Sequence, residues 1–389
     1  MNLIYLDNNA TTKPAPEVLE AITESLAVGW ANPSSVHRAG QDARRRLDLA
    51  RESVCRLINC RERDLIFTSG GTESANLAIA GTLAALPKRR TLVTSPIEHS
   101  CVREQAESFG LLGFDVIQLP VNIDGLVDLN ALADVIVKRG SEVGLVSIMW
   151  VNNETGVIQP IDRIGQMCHD AGVRFHVDAT QGVGKLPIDL ENSSIDLLGF
   201  ASHKFHGPKG VGALFARRTV PLIRQILGGP QERERRGGTE NTHGIIGMGV
   251  AADLARDWLE GDGMKTCAAM RDRFERTILT EIGDTSINGG GGAPRIWNTS
   301  NIAFERLEAE AILMLLSERG LCTSGGSACS SGSLDPSPVL LAMNLPRERA
   351  HGSIRFSLSR DTTDVEIDQA LKIIPAVIAK LRASMTPVS

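Results

Sequence analysis

Residues 174–216 read RFHVDATQGVGKLPIDLENSSIDLLGFASHKFHGPKGVGALFA, and the fold turns on this stretch. It contains three apolar runs, RFHVDA (174–179), IDLLGFA (195–201) and GVGALFA (210–216), largely unbroken by alternating polar residues. That pattern belongs to strands covered on both faces, as in mostly parallel sheets with helices on either side. Working outward, LIFT (65–68), TLVTS (91–95), DVIQL (115–119) and GLVSIMWV (144–151) have the same character, and residues 74–85 and 160–171 between them have helical composition. The predicted class is therefore α/β, with a mostly parallel central sheet flanked by helices. The last two runs enclose a glycine-rich turn, HGPKGVG, which predicts an antiparallel hairpin at that edge.

Toward the C-terminus, DWLEGDGMK (257–265) interrupts a helical pattern with two glycines, and a well-charged helix is expected over 270–282. Beyond it come a strand-like NIAFE (301–305), the helical AEAILMLLSERG (309–320), a Ser/Gly-rich loop over 323–333 and a strand SIRFSLS (353–359). These features predict a large domain over 15–260 and a smaller α+β domain made of 1–14 plus 261–389.

The 389 residues, 42% hydrophobic and 22% charged, suit a globular chain with a sizeable core. A net charge of -5 gives no reason to expect nucleic acid or an acidic membrane as partner, so a small-molecule substrate is the default. No apolar segment approaches bilayer length, and the N-terminus lacks a basic stretch followed by an apolar one, which predicts a cytoplasmic protein. Seven cysteines without CxxC spacing argue against a disulfide framework or a tetrahedral zinc site, and most of them read as small apolar fillers.

Ligands bind beyond the carboxyl ends of parallel strands, and Asp178 ends the run RFHVDA there. Taken singly it is a loop-capping aspartate. Twenty-six residues on, however, Ser202-His203-Lys204 follows the apolar LLGFA, and a lysine just past a buried strand suits Schiff-base chemistry. Pyridoxal 5'-phosphate (PLP) requires both groups, a lysine for the imine and a carboxylate to keep the ring nitrogen protonated. The segment TSGGTESANLAI (68–79) would then supply Gly70, Gly71 and Thr72 at a helix N-terminus as a phosphate cradle, although an ordinary helix cap has the same signature.

With these residues on the page, the chain resembles class V aminotransferase-fold PLP enzymes (fold type I), specifically the cysteine desulfurases of the nitrogen-fixation (NifS-like) and housekeeping (IscS-like) group. The blocks YLDNNATT (5–12), NPSSVH (32–37), TSGGTES (68–74), EH (98–99), VNNETG (151–156), HVDATQGVGK (176–185), SHKFHGPKG (202–210), RRGGTEN (235–241), SGGSACSSGS (324–333) and HGSIRFSLSR (351–360) carry the likeness from end to end. It implies that Lys204 binds the cofactor, Asp178 pairs with the ring nitrogen, Gln181 bonds the ring hydroxyl and His99 stacks on the ring and exchanges protons. It assigns the phosphate to Gly71, Thr72, Ser202 and His203, with Thr239 reaching the phosphate of the other subunit of a homodimer. Asn153 would bind both the cofactor ring and the substrate, and Arg355 would grip the carboxylate of L-cysteine with its planar fork; Asn32 is a weaker candidate. One departure stands out, since many relatives carry a phosphate-binding serine three residues before the lysine and this chain has Ala201.

Cys329 sits in a stretch without large side chains, where burial is not expected and a mobile loop is. The resemblance makes it the residue that receives sulfur as a persulfide and hands it to an iron-sulfur scaffold protein, with transient iron ligation as a further implication. Cys322, beside apolar residues, ranks far below it. The expected reaction converts L-cysteine to L-alanine, with Lys204 taking the α-proton and the Cys329 thiolate attacking the substrate sulfur. The chain stops at Ser389, soon after its last helix, which favours nitrogenase maturation over a housekeeping role. A selenocysteine lyase or cysteine-sulfinate desulfinase of the same fold, and a silent scaffold, stand as alternatives; the first is weakened by the long Ser/Gly loop and the last by the presence of Lys204, Asp178 and Cys329.

Overall fold

The structure is a computed structural model that describes residues 3–325 and 335–384. Along the chain, β1 (Ile4–Tyr5) leads to α1 (Pro16–Val28) and α2 (Arg38–Leu57), then β2 (Leu65–Thr68), α3 (Gly71–Ala85), β3 (Thr91–Thr94), α4 (Ser100–Leu111) and β4 (Asp115–Gln118). There follow α5 (Leu129–Arg139), β5 (Val143–Met149), α6 (Ile161–Asp170), β6 (Phe175–Asp178), β7 (Leu197–Ala201), β8 (Gly212–Ala216), α7 (Thr242–Glu260) and α8 (Gly263–Glu281). The remainder comprises β9 (Thr285–Ile287), β10 (Thr299–Phe304), α9 (Ala309–Glu318), β11 (Leu321–Cys322), β12 (Ser324–Gly325), α10 (Pro338–Ala342), α11 (Arg347–His351), β13 (Ser353–Ser357) and α12 (Asp364–Ser384).

Seven strands form the central sheet in the order β2-β8-β7-β6-β5-β3-β4. Pairing is parallel from β7 through β4, and β8 runs antiparallel to both β7 and β2, as the glycine-rich turn predicts. Every residue of β2, β3, β5, β6, β7 and β8 is buried, which explains why their sequences do not alternate. One face of the sheet packs on the cluster containing Leu47, Val54, Phe175 and Met248; the other packs on Leu77, Ile79, Val102 and Leu145.

A third cluster unites Ile4 and Leu6 with Phe274, Ile302, Phe304, Phe356 and Ile374 around an antiparallel sheet of order β12-β13-β10-β9. Both ends of the chain therefore contribute to it, and β1 pairs in parallel with β11. The turn between α7 and α8 falls on the predicted glycines, but α8 begins at Gly263 rather than at residue 270. The reason is local: Gly261 ends α7 by donating its N–H to Trp258 O, and Gly263 is pressed against Trp258 so closely that a Cβ would lie 2.4 Å from its Nε1. Only two residues separate the helices. None of the described helices is long and apolar enough to cross a membrane.

Candidate functional site

The carboxyl ends of β3, β5, β6 and β7 converge on one cavity of about 820 Å³. Ligand sites in open α/β sheets occupy this position because the strand ends expose side chains there while the strands themselves stay rigid. Lining it are Gly71, Thr72, His99, Asn153, Asp178, Gln181, His203, Lys204 and Arg355, so nine of the residues predicted from sequence share one cavity. A second cavity of about 800 Å³, near Leu126 and Pro160, contains none of them.

Lys204 is delivered by the buried strand β7, which ends at Ala201 and passes into a single helical turn, Ser202–Lys204. That turn is clamped from residues 9–15. Thr12 N–H donates to His203 O, His206 N–H donates to Thr12 Oγ1, and Ala15 N–H donates to His206 O. The Lys204 ammonium donates to Asn9 O at 2.7 Å and to Ala10 O at 2.8 Å. Gln181 Nε2 donates to the same Asn9 carbonyl, at 2.9 Å.

Asp178 ends β6, buried, and its Oδ1 accepts from Thr180 N–H. His99 caps α4, its Nδ1 accepting from Cys101 N–H, which leaves the proton of a neutral ring on Nε2. Burial and the neighbouring Lys204, Lys209 and Lys185 lower the His203 ring to about 4, so it is neutral near pH 7. It meets Thr11 Oγ1 through Nδ1 at 3.1 Å.

Arg355 lies on β13, 2% exposed, and reaches the cavity from the antiparallel sheet. Its guanidinium donates to Asp7 Oδ1 at 2.8 Å and to Asn153 O at 3.1 Å, and its Nε has no partner among the described residues. A buried arginine that lines the cavity and keeps an unspent donor suits carboxylate binding.

Ser202, Thr239 and Asn32 stand elsewhere. Ser202 is fully buried outside the lining; its hydroxyl packs against Gly207, 1.8 Å from where a Cβ there would stand, and finds no hydrogen-bond partner among the described residues. It therefore does not present a hydroxyl to the cavity in place of the serine that Ala201 lacks. Thr239 is exposed and outside the cavity, on a segment tied to α3 by the Arg236–Glu73 ion pair at 2.9 Å. Cys329 lies outside the described residues, although the chain on either side borders the site: Ser324 pairs with Arg355 across β12 and β13, while Asp335 and Pro336 line the cavity. Asn32 also lies apart from the lining. Among the described residues no cluster of His, Cys, Asp and Glu could hold a metal, so the iron implication rests with Cys329 alone.

The fold also assembles residues that sequence reasoning left unassigned. Lys185, 4% exposed, donates to Gln181 Oε1 at 2.6 Å and to Asn9 Oδ1 at 3.2 Å, and burial holds its amine well below the usual lysine range. Glu98 is buried behind His99, and burial pushes its carboxyl up to about 8. Cys101, expected to be an inert filler, lines the cavity with its sulfur 3.1 Å from His99 Nδ1 and 4.0 Å from Asp178 Oδ2. The blocks YLDNNATT, EH and HVDATQGVGK contain Asp7, Asn9, Glu98 and Lys185, and that membership was the available signal.

A phosphate fits at the start of α3. A Cβ at residue 71 would crowd Thr180 Oγ1 at 2.9 Å, and glycine is required at residue 212, where a Cβ would lie 2.7 Å from Gly70 Cα. The helix start, with no side-chain cap, offers unshielded N–H groups to the cavity that Lys204 and Asp178 also line.

The comparisons agree with this geometry. The chain belongs to the class-V aminotransferase family, whose pattern it matches over residues 4–370. It is 45% identical over 383 residues to the cysteine desulfurase of Trichormus azollae, spanning 98% of this chain and 94% of that relative. To the cysteine desulfurase NifS of Azotobacter vinelandii it is 44% identical over 380 residues, 97% and 93% of the two chains. A solved NifS-like protein superposes with a TM-score of 0.90 at 34% identity, covering 98% of this chain and 100% of that one. Cysteine desulfurases of this family depend on pyridoxal 5'-phosphate, and the cavity has the residues to hold it.

Proposed function

We propose that the chain is a PLP-dependent cysteine desulfurase that converts L-cysteine to L-alanine and takes the sulfur onto Cys329 as a persulfide. The observation that carries this reading is the convergence of Lys204, Asp178, Gln181, His99 and Arg355 on one cavity, in a chain 44–45% identical to named cysteine desulfurases. Bound PLP supplies an electron sink for the negative charge that develops at the substrate α-carbon.

The chain's own residues do the rest. Asp178 holds the proton on the ring nitrogen, Gln181 meets the ring hydroxyl, and Gly71, Thr72 and His203 bind the phosphate. Arg355 receives the substrate carboxylate, with Asn153 beside it, and so fixes which bond of the α-carbon faces Lys204. Lys204 removes the α-proton, and His99 is placed to exchange a proton through Nε2. The Cys329 thiolate then attacks the substrate Sγ; the carbon-sulfur bond breaks, its electron pair stays with the β-carbon, which takes up a proton, Lys204 returns a proton to the α-carbon, and alanine leaves. Support for Cys329 in this role comes from the residues flanking it at the cavity rim, Ser324 on one side and Asp335 on the other.

In this reading residues 15–260 form the cofactor unit, and 1–14 plus 261–389 form the smaller unit that carries Arg355 and Cys329. Thr239, exposed on its pinned segment, completes the phosphate site of a second copy in a homodimer. The likeness to a relative named NifS supports delivery to an iron-sulfur scaffold protein in the cytoplasm, for nitrogenase maturation. The test supplies L-cysteine, L-selenocysteine and L-cysteine sulfinate separately and counts alanine and released chalcogen. Preference for L-cysteine, with one sulfur per alanine, is expected; faster turnover of either competitor refutes the assignment.

A further inference from the structure

Ala201 and Ser202 together leave the turn before Lys204 without a hydroxyl facing the cavity. Ala201 lines the cavity with a methyl group, and the Ser202 hydroxyl is turned onto Gly207. A hydroxyl from another strand end occupies the neighbouring space. Thr180 follows β6 and lines the cavity, and its Oγ1 lies 2.9 Å from the point where a Cβ on Gly71 would stand; the Ala201 Cβ lies 3.7 Å from that same point. Thr180 Oγ1 makes no hydrogen bond among the described residues. Its backbone, by contrast, is fixed, since Thr180 N–H donates to Asp178 Oδ1 at 2.9 Å. One hydroxyl, held on a rigid strand end, thus faces the first turn of α3 beside the methyl that replaces the other.

We propose that Thr180 donates its hydroxyl to the cofactor phosphate and takes the place of the serine hydroxyl missing at Ala201. The inference rests on the reading that PLP binds with its phosphate at the α3 N-terminus. A hydroxyl donating to a dianionic phosphate forms a charge-assisted bond, roughly twice as strong as a neutral one. Thr180 also couples the phosphate to Asp178, two residues earlier and bonded to its N–H, so both ends of the cofactor are referenced to the end of β6.

The test uses full-length holoenzyme dialysed to equilibrium against a series of PLP or pyridoxal concentrations, with bound cofactor read from its visible absorption band. Pyridoxal lacks the phosphate and serves as the internal control. Thr180→Val is expected to weaken PLP about tenfold or more and leave pyridoxal unchanged, Thr180→Ser to retain wild-type affinity, and Thr180→Val with Ala201→Ser to recover most of the loss. Phosphorus NMR of the bound cofactor should shift in Thr180→Val and return in the double variant. Unchanged PLP affinity in Thr180→Val, or equal weakening of PLP and pyridoxal, overturns the proposal while leaving the cofactor reading intact. A wild type that binds no PLP overturns the cofactor reading itself.

Discussion

Glu98 offers a quantitative test of how the site is built. It is fully buried, and its Oε1 accepts from Ser95 Oγ at 2.6 Å and Met149 N–H at 3.0 Å, while Oε2 has no partner among the described residues. Burial, reinforced by the nearby Asp178 carboxylate, raises its pKa from 4.5 to about 8, so the folded protein keeps the proton, on Oε2, across the neutral range. An unfolded glutamate releases that proton near 4.5. Between these values folding takes up one proton, the native state binds more protons than the unfolded state, and stability falls as pH rises, by about 1.4 kcal/mol per pH unit. Glu98→Gln preserves the shape and cannot titrate. His176, His203 and His206, all lowered to about 4 chiefly by burial, act with the opposite sign below 6.5, but they are common to both proteins and cancel in the difference. Urea unfolding of both proteins at about pH 5.5 and about pH 7.5 should therefore show the variant gaining roughly 3 kcal/mol on the wild type. A difference that does not change with pH would refute the protonated, buried carboxyl.

Arg51 and Glu232 form a buried ion pair at 2.6 Å, and Glu232 also accepts Phe67 N–H, which anchors the strained residues 232–234 at positive φ. Arg51→Leu strands that carboxylate and should cost about 3–5 kcal/mol in urea unfolding. Arg355→Lys removes the planar fork; KM for L-cysteine should rise about tenfold or more while the cofactor absorption band stays unchanged. Lys185→Met leaves Gln181 Oε1 without its donor in the core and should cost about 1–3 kcal/mol in thermal or urea unfolding. Adding Gln181→Met to that variant should cost little more, because the two residues act as one unit.

The sheet was legible because buried strands are apolar throughout; Asp178 and Lys204 were legible because each follows such a run where a parallel sheet exposes its ligand face. Arg355 and Gln181 needed the family likeness, since an arginine in a strand also reads as a surface ion pair. What sequence could not convey depends on contacts between distant segments. Asn9 reaches the cavity, and Asp7 the Arg355 that lines it, only because β1 joins β11 and the segment after it bridges to Ser357. Lys185 reads as a solvated charge until the fold buries it between Gln181 and Asn9. Cys101 reads as a filler until α4 sets it beside His99. The direction of the Ser202 hydroxyl is set by Gly207, five residues on, through a turn that no periodicity describes.

The proposed reaction makes Lys204 and Cys329 successive stations for sulfur transfer. It is tested most directly by mass spectrometry of the peptide containing Cys329 after the protein is exposed to L-cysteine without reductant, on wild type, Lys204→Ala and Cys329→Ser. Wild type should gain the mass of one sulfur atom on Cys329, Lys204→Ala should gain none and lose the cofactor band, and Cys329→Ser should keep the band while forming no persulfide. Persulfide on Cys101 or Cys322 instead, or alanine production by Cys329→Ser at the wild-type rate, would contradict it.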